Sequence, residues 1–147
     1  MQDSIFSDLT SHELDEILKF TDEVKFSSGT VILQQDAPGN ALFIVKSGTA
    51  QLIKKTEAGE PLNMGLVEQG MFLGELAVLD NGRQPATATA EAEVTALQIT
   101  KEKLDLLYKI NKRIYCKLFL SLVRYVNFRL RIANEKYATS RSNLRKF

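Results

Sequence analysis

Cysteine and histidine are scarce in this sequence, and their scarcity limits the chemistry that it can carry. The 147 residues include one cysteine, Cys116, and one histidine, His12. A single cysteine excludes an internal disulfide, and we expect Cys116 to be buried among apolar helix residues. A lone histidine supports neither a zinc site nor a Ser/His/Asp set. The sequence therefore predicts a protein that is not an enzyme and has no metal and no cofactor.

Long apolar runs are also missing. No stretch of about 18 apolar residues occurs, so we predict no membrane span. The N-terminal residues include acidic side chains and no apolar run, so we expect no signal peptide. Apolar residues make up 44% of the chain and charged residues 25%, which is ordinary for one globular domain. With a single cysteine, these features predict a cytoplasmic protein.

Charge is unevenly spread along the chain although it nearly cancels overall. The formal net charge is +1. Residues 1–108 contain 8 basic and 17 acidic residues, whereas residues 109–147 contain 11 basic and 1 acidic residue. This pattern predicts a solvated helix face, a self-complementary pair of regions or an acidic partner for the basic end. The sequence leaves these alternatives open.

The middle of the chain reads as a series of short strands. Runs of β-prone residues recur every 8–12 residues and are separated by turns rich in Gly, Pro, Asn and Asp. The predicted strands are Val24–Phe26, Thr30–Leu33, Ala41–Lys46, Ala50–Lys55, Leu62–Val67, Ala86–Ala90 and Thr95–Thr100. Because no long helix alternates with them, we predict an antiparallel closed or sandwiched structure rather than a parallel α/β fold.

Helices are predicted on both sides of the strands. Thr10 and Glu13 have the spacing of a capping box, which predicts a short helix over about 11–20. A second helical stretch follows Thr100, and a longer helix is predicted over about 112–138. That helix has two apolar stripes, one with Tyr115, Leu118, Leu122, Tyr125 and Ile132 and the other with Phe119, Val123, Val126 and Leu130. We expect one stripe to cover the strands and the other to meet a second copy in a homodimer.

Residues 70–87, called the 70–87 segment below, contain the residues that point to a ligand. Gly74 permits a tight turn, and a short helical turn after it would expose backbone N–H groups to an anion. Glu75 lies at the same turn, where a sugar hydroxyl would give its carboxylate a donor. Arg83 follows the loop and would supply a cation to a phosphate. These residues predict a ligand with a phosphate and a sugar.

The 70–87 segment resembles the phosphate-binding cassette of cyclic nucleotide-binding domains. Residues 72–77 read FLGELA and residues 83–87 read RQPAT, where the family usually has Phe-Gly-Glu-Leu-Ala, a short loop and then Pro-Arg-x-Ala-Thr. The upstream patterns Phe26-x-x-Gly29-x-x-Ile32 and Pro38-Gly39-Asn40-x-Leu42-Phe43-Ile44-Val45-x-x-Gly48 are similar to the family's strand signature. The resemblance covers about residues 5–138.

The resemblance implies a mainly β fold with flanking helices. The expected architecture is an antiparallel, jelly-roll-like β-roll with a short N-terminal helix and a long C-terminal helix. Within a domain over residues 1–138, we expect the roll at about 24–100 and the lid and dimer helices at about 101–138. Residues 139–147 are expected to form a frayed basic tail.

The resemblance also implies the ligand site. The expected contacts are Gly74, Glu75, Leu76, Ala77, Arg83, Gln84, Pro85, Ala86 and Thr87, with Asn127 and Arg131 of the C-terminal helix as candidate lid contacts. Glu75 would accept from the ribose, while the amides near Gly74 would face the phosphate.

The cassette departs from the family pattern at its arginine. Counting back from Ala86, Gln84 stands where the family has Arg, Arg83 stands where Pro is usual, and Pro85 lacks a backbone donor. Losing the charged partner of a phosphate should cost about 1.5–3 kcal/mol of binding free energy. A second departure is Asp36, which replaces a turn glycine and tolerates a left-handed backbone better than most residues do.

Three functions follow as hypotheses. The first is a regulatory module that binds a cyclic nucleotide, cyclic AMP or cyclic GMP, and signals through its C-terminal helix. The second is a degenerate fold of this type that no longer binds nucleotide and serves in dimerisation or protein interaction. The third is a DNA-binding regulator, as in the catabolite-activator branch of the family. We expect no DNA-reading domain in this chain, because the sequence ends soon after the long helix.

Overall fold

A computed structural model describes residues 8–145 and gives the chain eight strands and four helices in that range. The strands are β1 (Asp22–Phe26), β2 (Val31–Leu33), β3 (Ala41–Ser47), β4 (Ala50–Lys55), β5 (Pro61–Val67), β6 (Phe72–Leu73), β7 (Thr87–Ala90) and β8 (Val94–Thr100). The helices are α1 (Ser11–Leu18), α2 (Glu75–Asp80), α3 (Lys101–Ile110) and α4 (Lys112–Arg145). Within the described residues, no helix has the length and apolarity that a bilayer crossing needs.

The strands form two antiparallel four-stranded sheets. One sheet has the order β1-β8-β3-β6 and the other the order β2-β7-β4-β5. All seven strands expected from the sequence are present, and β6 is an additional strand that pairs with β3. The predicted β-roll, with a short N-terminal and a long C-terminal helix, is therefore confirmed.

Two apolar clusters hold the roll and the helices together. The first lies between the sheets and includes Val45, Val67 and Leu73. The second joins the outer side of the roll to the helices, and its largest contributions come from fully buried side chains such as Phe72 and Leu122. Burying a leucine or phenylalanine side chain contributes about 1.5–3 kcal/mol. The helices are thus part of the domain's own core.

Helix α4 differs from its predicted form at its end and at its cysteine. The helix continues to Arg145, whereas a frayed tail was expected from residue 139. No glycine or proline occurs in 112–147 to end it. Residues 146–147 lie outside the described range. Cys116 is exposed, contrary to expectation, because it lies on the side of α4 that faces away from the roll.

Asp36 and Asn81 carry the backbone through left-handed turns. Their φ angles are +68° and +54° respectively. Short polar side chains tolerate this region best among the residues that have a Cβ. The prediction that Asp36 takes over the conformation of a turn glycine is confirmed.

Glu13 joins the N-terminal helix to α4. The Thr10 amide donates to the Glu13 carboxylate at 3.1 Å and the Glu13 amide donates to the Thr10 hydroxyl at 3.2 Å, which confirms the capping box. The Lys117 ammonium lies 2.8 Å from Oε1 and 2.7 Å from Oε2 of Glu13. These bonds from Lys117 and Thr10 hold the pKa of Glu13 at about 2, below its usual 4.5. Because only the ionised carboxylate makes this pair, α1 is held to α4 by charge as well as by apolar contact.

Replacing Lys117 should expose this contribution. Because the pKa of Glu13 is lower in the fold than in the unfolded chain, the pair stabilises the fold above pH 4.5. The stabilisation is lost as the pH falls towards 2. We expect Lys117→Gln to lower the thermal midpoint at neutral pH, with a gap from the wild type that closes in acid.

The matched control is Lys19→Gln. It removes the exposed pair of Lys19 with Glu16, at 2.8 Å, and should change the midpoint little because exposed pairs contribute about 0–1 kcal/mol. A Lys117→Gln midpoint that follows the wild type at every pH contradicts the assignment.

Candidate functional site

A cavity of about 710 Å³ opens between the second sheet, the 70–87 segment and α4. The sheet contributes Leu52, Lys54, Met64 and Leu66, and α4 contributes Val126, Arg129, Leu130 and Lys136. Its volume lies within the usual range for small-molecule sites, about 300–1,000 Å³. The cavity is therefore large enough for a small-molecule ligand.

The turn at Gly74 shapes the cavity wall. Gly74 has φ +81°, and a Cβ at this position would lie 2.7 Å from the Ala41 carbonyl oxygen. Across the turn, a Cβ on Gly39 would lie 2.4 Å from that of Ala77. Because these two glycines allow close backbone approach, β6 can turn at once into α2 and α2 can pack against the loop before β3.

Only some of the residues at the start of α2 line the cavity. Gly74, Glu75 and Leu76 line the cavity, whereas Ala77 is fully buried beside Gly39. The first helical bond at this end runs from the Val78 amide to the Gly74 carbonyl, at 3.2 Å. The backbone amides of Leu76 and Ala77 come before Val78 in the helix and so have no helical carbonyl to donate to, as expected from the sequence.

Glu75 places a carboxylate in the wall of the cavity. Burial raises its pKa, while its own backbone amide and the Arg129 guanidinium oppose that rise. Among the described residues, no other side chain is hydrogen bonded to this carboxylate. A desolvated acceptor of this kind is well suited to a hydroxyl donor on a ligand.

Tyr125 fastens α4 to the strand that leads into the cavity wall. Its hydroxyl donates to the Phe72 carbonyl at 3.1 Å and accepts from Arg129 Nη1 at 3.0 Å. The Tyr125 ring packs edge-on against Phe72, with centroids 5.3 Å apart, and burial raises the pKa of its hydroxyl. Sequence reasoning missed both Tyr125 and Arg129 as site residues, although their spacing of four residues places them on one helix face.

Gln84 and Arg83 lie on different sides of the chain. Gln84 is 3% exposed and lines the cavity, and its amide nitrogen lies 3.8 Å from the position of a Cβ on Gly74. Arg83 is exposed, lies outside the lining, and donates to the Asp36 carbonyl at 2.8 Å. The neutral amide, and not the guanidinium, therefore faces the cavity.

The remaining predicted contacts divide in the same way. Pro85 and Ala86 line the cavity. Thr87 lies outside the lining, and its hydroxyl accepts from the backbone amide of Gln35 at 3.0 Å. Asn127 and Arg131 are exposed and also lie outside the lining, because they sit on the outer side of α4.

Charge in the lining is mostly positive. The charged residues of the described lining are the cations Lys54, Arg129 and Lys136 and the carboxylate of Glu75. These cations come from β4 and α4, not from the 70–87 segment. Within the described part of the chain, no group of three His, Cys, Asp or Glu residues is arranged to hold a metal. The electrostatics favour an anionic organic ligand.

Comparison with known proteins identifies the family to which the fold belongs. The sequence profile of the cyclic nucleotide-binding domain matches residues 23–111. The chain belongs to the cyclic nucleotide-binding domain family. The match includes the eight strands from Glu23 onward, the 70–87 segment and α3.

Relatives of this cyclic nucleotide-binding domain include kinase regulators and transcription factors. The cAMP-dependent protein kinase regulatory subunit of Aspergillus fumigatus is 30% identical over 98 residues, which are 67% of this chain and 23% of that protein. The crystal structure of the Thermus thermophilus catabolite activator protein superposes with a TM-score of 0.76 at 26% identity, covering 93% of this chain and 62% of that one. This chain thus spans less than a quarter of the fungal regulatory subunit.

A second similar structure agrees in fold alone. A cyclic nucleotide-binding domain from Methylobacillus flagellatus superposes with a TM-score of 0.85 at 16% identity, covering 90% of this chain and 74% of that one.

Glu75→Gln should stabilise the ligand-free domain at neutral pH. The pKa of Glu75 is raised above 4.5 in the fold, so its contribution to stability is present in acid and is lost as the pH rises through the folded pKa. A neutral amide avoids that loss. We expect a higher thermal midpoint for Glu75→Gln at neutral pH and no gain in acid.

The control for this comparison is Glu57→Gln, in the exposed turn between β4 and β5. It should leave the midpoint unchanged at every pH. A Glu75→Gln protein that is less stable than the wild type at neutral pH would show that the carboxylate has a partner that the cavity does not reveal.

Proposed function

We propose that this domain is a regulatory module that binds a cyclic nucleotide, cyclic AMP or cyclic GMP, in the cavity beside Glu75. The observation that carries the proposal is the desolvated Glu75 carboxylate, which has no side-chain donor among the described residues. A ribose hydroxyl would donate to it. The kinase regulatory subunits and catabolite activator protein among the relatives support a regulatory rather than an enzymatic role.

The phosphate would lie at the turn between β6 and α2. There the amides of Leu76 and Ala77, with the side-chain amide of Gln84, supply hydrogen-bond donors. Arg129 and Lys136 supply positive charge from the helix that covers the cavity. Donors and cations together satisfy a singly charged cyclic phosphate better than either alone.

Helix α4 would carry the signal. Tyr125 and Arg129 connect it to β6 and to the electrostatic field of Glu75. A ligand that binds one helix position more tightly than another shifts the population towards that position. The outer side of α4 would join two copies in a homodimer, so that a shift in one copy reaches the other.

Calorimetric titration of cyclic AMP and cyclic GMP tests the site. We expect the wild type to bind at least one of them and Glu75→Ala to bind it about ten- to a hundredfold more weakly, because a hydrogen bond to a charged group is worth about 1.5–3 kcal/mol.

Glu57→Ala is the matched control and should bind as the wild type does. Affinity that is unchanged in Glu75→Ala rejects Glu75 as the ribose contact. No heat with either nucleotide up to about millimolar concentration, a Kd near the weak end of specific binding, rejects the sensor function.

Gln84→Arg should strengthen binding. The side chain at position 84 already faces the cavity, and a guanidinium there would form a bidentate, charge-assisted pair with the phosphate. We expect Kd to fall about ten- to a hundredfold. Gln84→Lys, which adds charge without the planar fork, should give a smaller gain. Equal or weaker binding by Gln84→Arg contradicts this placement of the phosphate.

A second candidate function is favoured by the position of Arg83. Its guanidinium is bound to the Asp36 carbonyl, so it does not replace the missing cassette charge. If the cavity does not bind nucleotide without that charge, the domain is a degenerate member of the family that serves in dimerisation or protein interaction. Absence of binding by the wild type together with binding by Gln84→Arg would identify this case.

A further inference from the structure

Tyr125 and Arg129 form a fixed pair in the wall of the cavity. The Tyr125 hydroxyl has a single proton, which it donates to the Phe72 carbonyl at 3.1 Å. Its lone pairs are left for the Arg129 guanidinium, whose Nη1 donates to the hydroxyl at 3.0 Å. The guanidinium carbon also lies 5.8 Å from the centre of the Tyr125 ring, within the range of a cation–π contact. Two attractions thus hold Arg129 to Tyr125.

Tyr125 itself has little freedom to move. Its side chain is almost completely buried, and its ring lies edge-on to the fully buried ring of Phe72. Arg129 follows Tyr125 by four residues, so both side chains project from one face of α4, and both line the cavity. The position of the guanidinium is therefore set by a tyrosine that the core of the domain holds in place.

Glu75 lies close to this pair but is not bound to it. The charge of Arg129 lowers the pKa of Glu75, against the larger rise that burial causes. In the part of the chain that the structure describes, however, the guanidinium is hydrogen bonded to Tyr125 and makes no ion pair with Glu75. Such an ion pair would offset part of the cost of burying the carboxylate. The unpaired arrangement therefore needs a physical cause.

The Tyr125 hydroxyl supplies that cause. We propose that Tyr125 is a positioning residue, whose hydroxyl holds the Arg129 guanidinium away from the Glu75 carboxylate. Glu75 then keeps its oxygens open to the hydroxyls of a sugar, and Arg129 keeps its other N–H groups open to a phosphate. The inference rests on the proposed function for the identity of the ligand, whereas the arrangement of the three side chains belongs to the ligand-free domain.

Keeping the two charges apart prepares the cavity for both ends of a nucleotide. If Arg129 were paired with Glu75, a ligand would have to break that pair before its ribose could donate to the carboxylate. The free energy of the broken pair would then be subtracted from that of binding. A guanidinium has five N–H donors, of which Tyr125 takes one. Arg129 can therefore bind Tyr125 and a phosphate at the same time.

The other two cations of the described lining do not take the place of Arg129. Lys136 follows Arg129 by seven residues, which is about 10 Å along the helix axis, and Lys54 belongs to β4. Among the described residues, Arg129 is the cation whose charge acts on the pKa of Glu75. Replacing Arg129 should therefore leave Glu75 without a cationic neighbour.

Calorimetric titration of cyclic AMP and cyclic GMP tests the assignment. Each charge-assisted contact that is lost should weaken binding about ten- to a hundredfold. Tyr125→Phe keeps the ring but lets Arg129 pair with Glu75, so it impairs both contacts. Arg129→Met loses the phosphate contact and leaves Glu75 open. Tyr125→Phe/Arg129→Met should therefore bind as Arg129→Met does, and more tightly than Tyr125→Phe, although it has one cation fewer for an anionic ligand.

The matched control is Tyr115→Phe. Tyr115 is a half-buried tyrosine of the same helix, outside the lining, so the control should bind as the wild type does. If Tyr125→Phe also binds as the wild type does, the proposal is overturned. It is overturned as well if Tyr125→Phe/Arg129→Met binds more weakly than Tyr125→Phe, because the hydroxyl then acts through the packing of α4.

The pKa of the Glu75 carboxyl, followed by carbon-13 NMR in the ligand-free protein, is a second readout. Pairing with Arg129 favours the ionised carboxylate, so the pKa should fall below the wild-type value in Tyr125→Phe. It should rise above the wild-type value in Tyr125→Phe/Arg129→Met. A tyrosine that only supported the packing of α4 would, when replaced, admit water to Glu75 and lower its pKa in both variants. That result overturns the proposal.

The two readouts separate this inference from the proposed function. Absence of heat with either nucleotide and the wild type rejects the sensor function. The order of the Glu75 pKa values among the wild type, Tyr125→Phe and Tyr125→Phe/Arg129→Met decides the role of Tyr125 with no ligand present. A Glu75 pKa that is the same in Tyr125→Phe as in the wild type overturns the proposal, whatever the titrations show.

Discussion

The contact between Tyr125 and Phe72 is the constraint on which the site depends. The hydroxyl bond at 3.1 Å and the edge-on ring contact fix α4 against β6. Because β6 runs directly into Gly74 and Glu75, the same contact sets the distance between the helix and the cassette turn. The same contact joins α4 to the strand from which the cavity turn begins.

The polar groups of the cavity come from two parts of the molecule. The cassette turn supplies a carboxylate, backbone amides and the neutral Gln84, whereas positive charge comes from β4 and from α4. Two of the three cations of the described lining, Arg129 and Lys136, thus belong to α4, which is also the element that pairs with Glu13 through Lys117.

Helix α4 serves two surfaces at once. One side buries Leu118, Leu122 and Tyr125 against the roll, and the other exposes Val123, Tyr137 and Leu144. A helix of this length reaches about 50 Å, so it extends well past the roll that supports its first half. Any movement of the roll side is necessarily a movement of the outer side, since the two share one backbone.

The sequence by itself determined the roll, because strand spacing, glycine turns and the capping box are local signals that each agree with the same fold. It also pointed to Glu75 and, through the family resemblance, to Gln84 at the position where the family has an arginine. Only the tertiary structure decided that Arg83 turns to Asp36 while Gln84 faces the cavity. It likewise decided that Arg129 and not Asn127 lines the site, and that Cys116 is exposed. The rotation of α4 about its axis set these last positions, and that rotation follows from packing against β6, which helical periodicity alone does not specify.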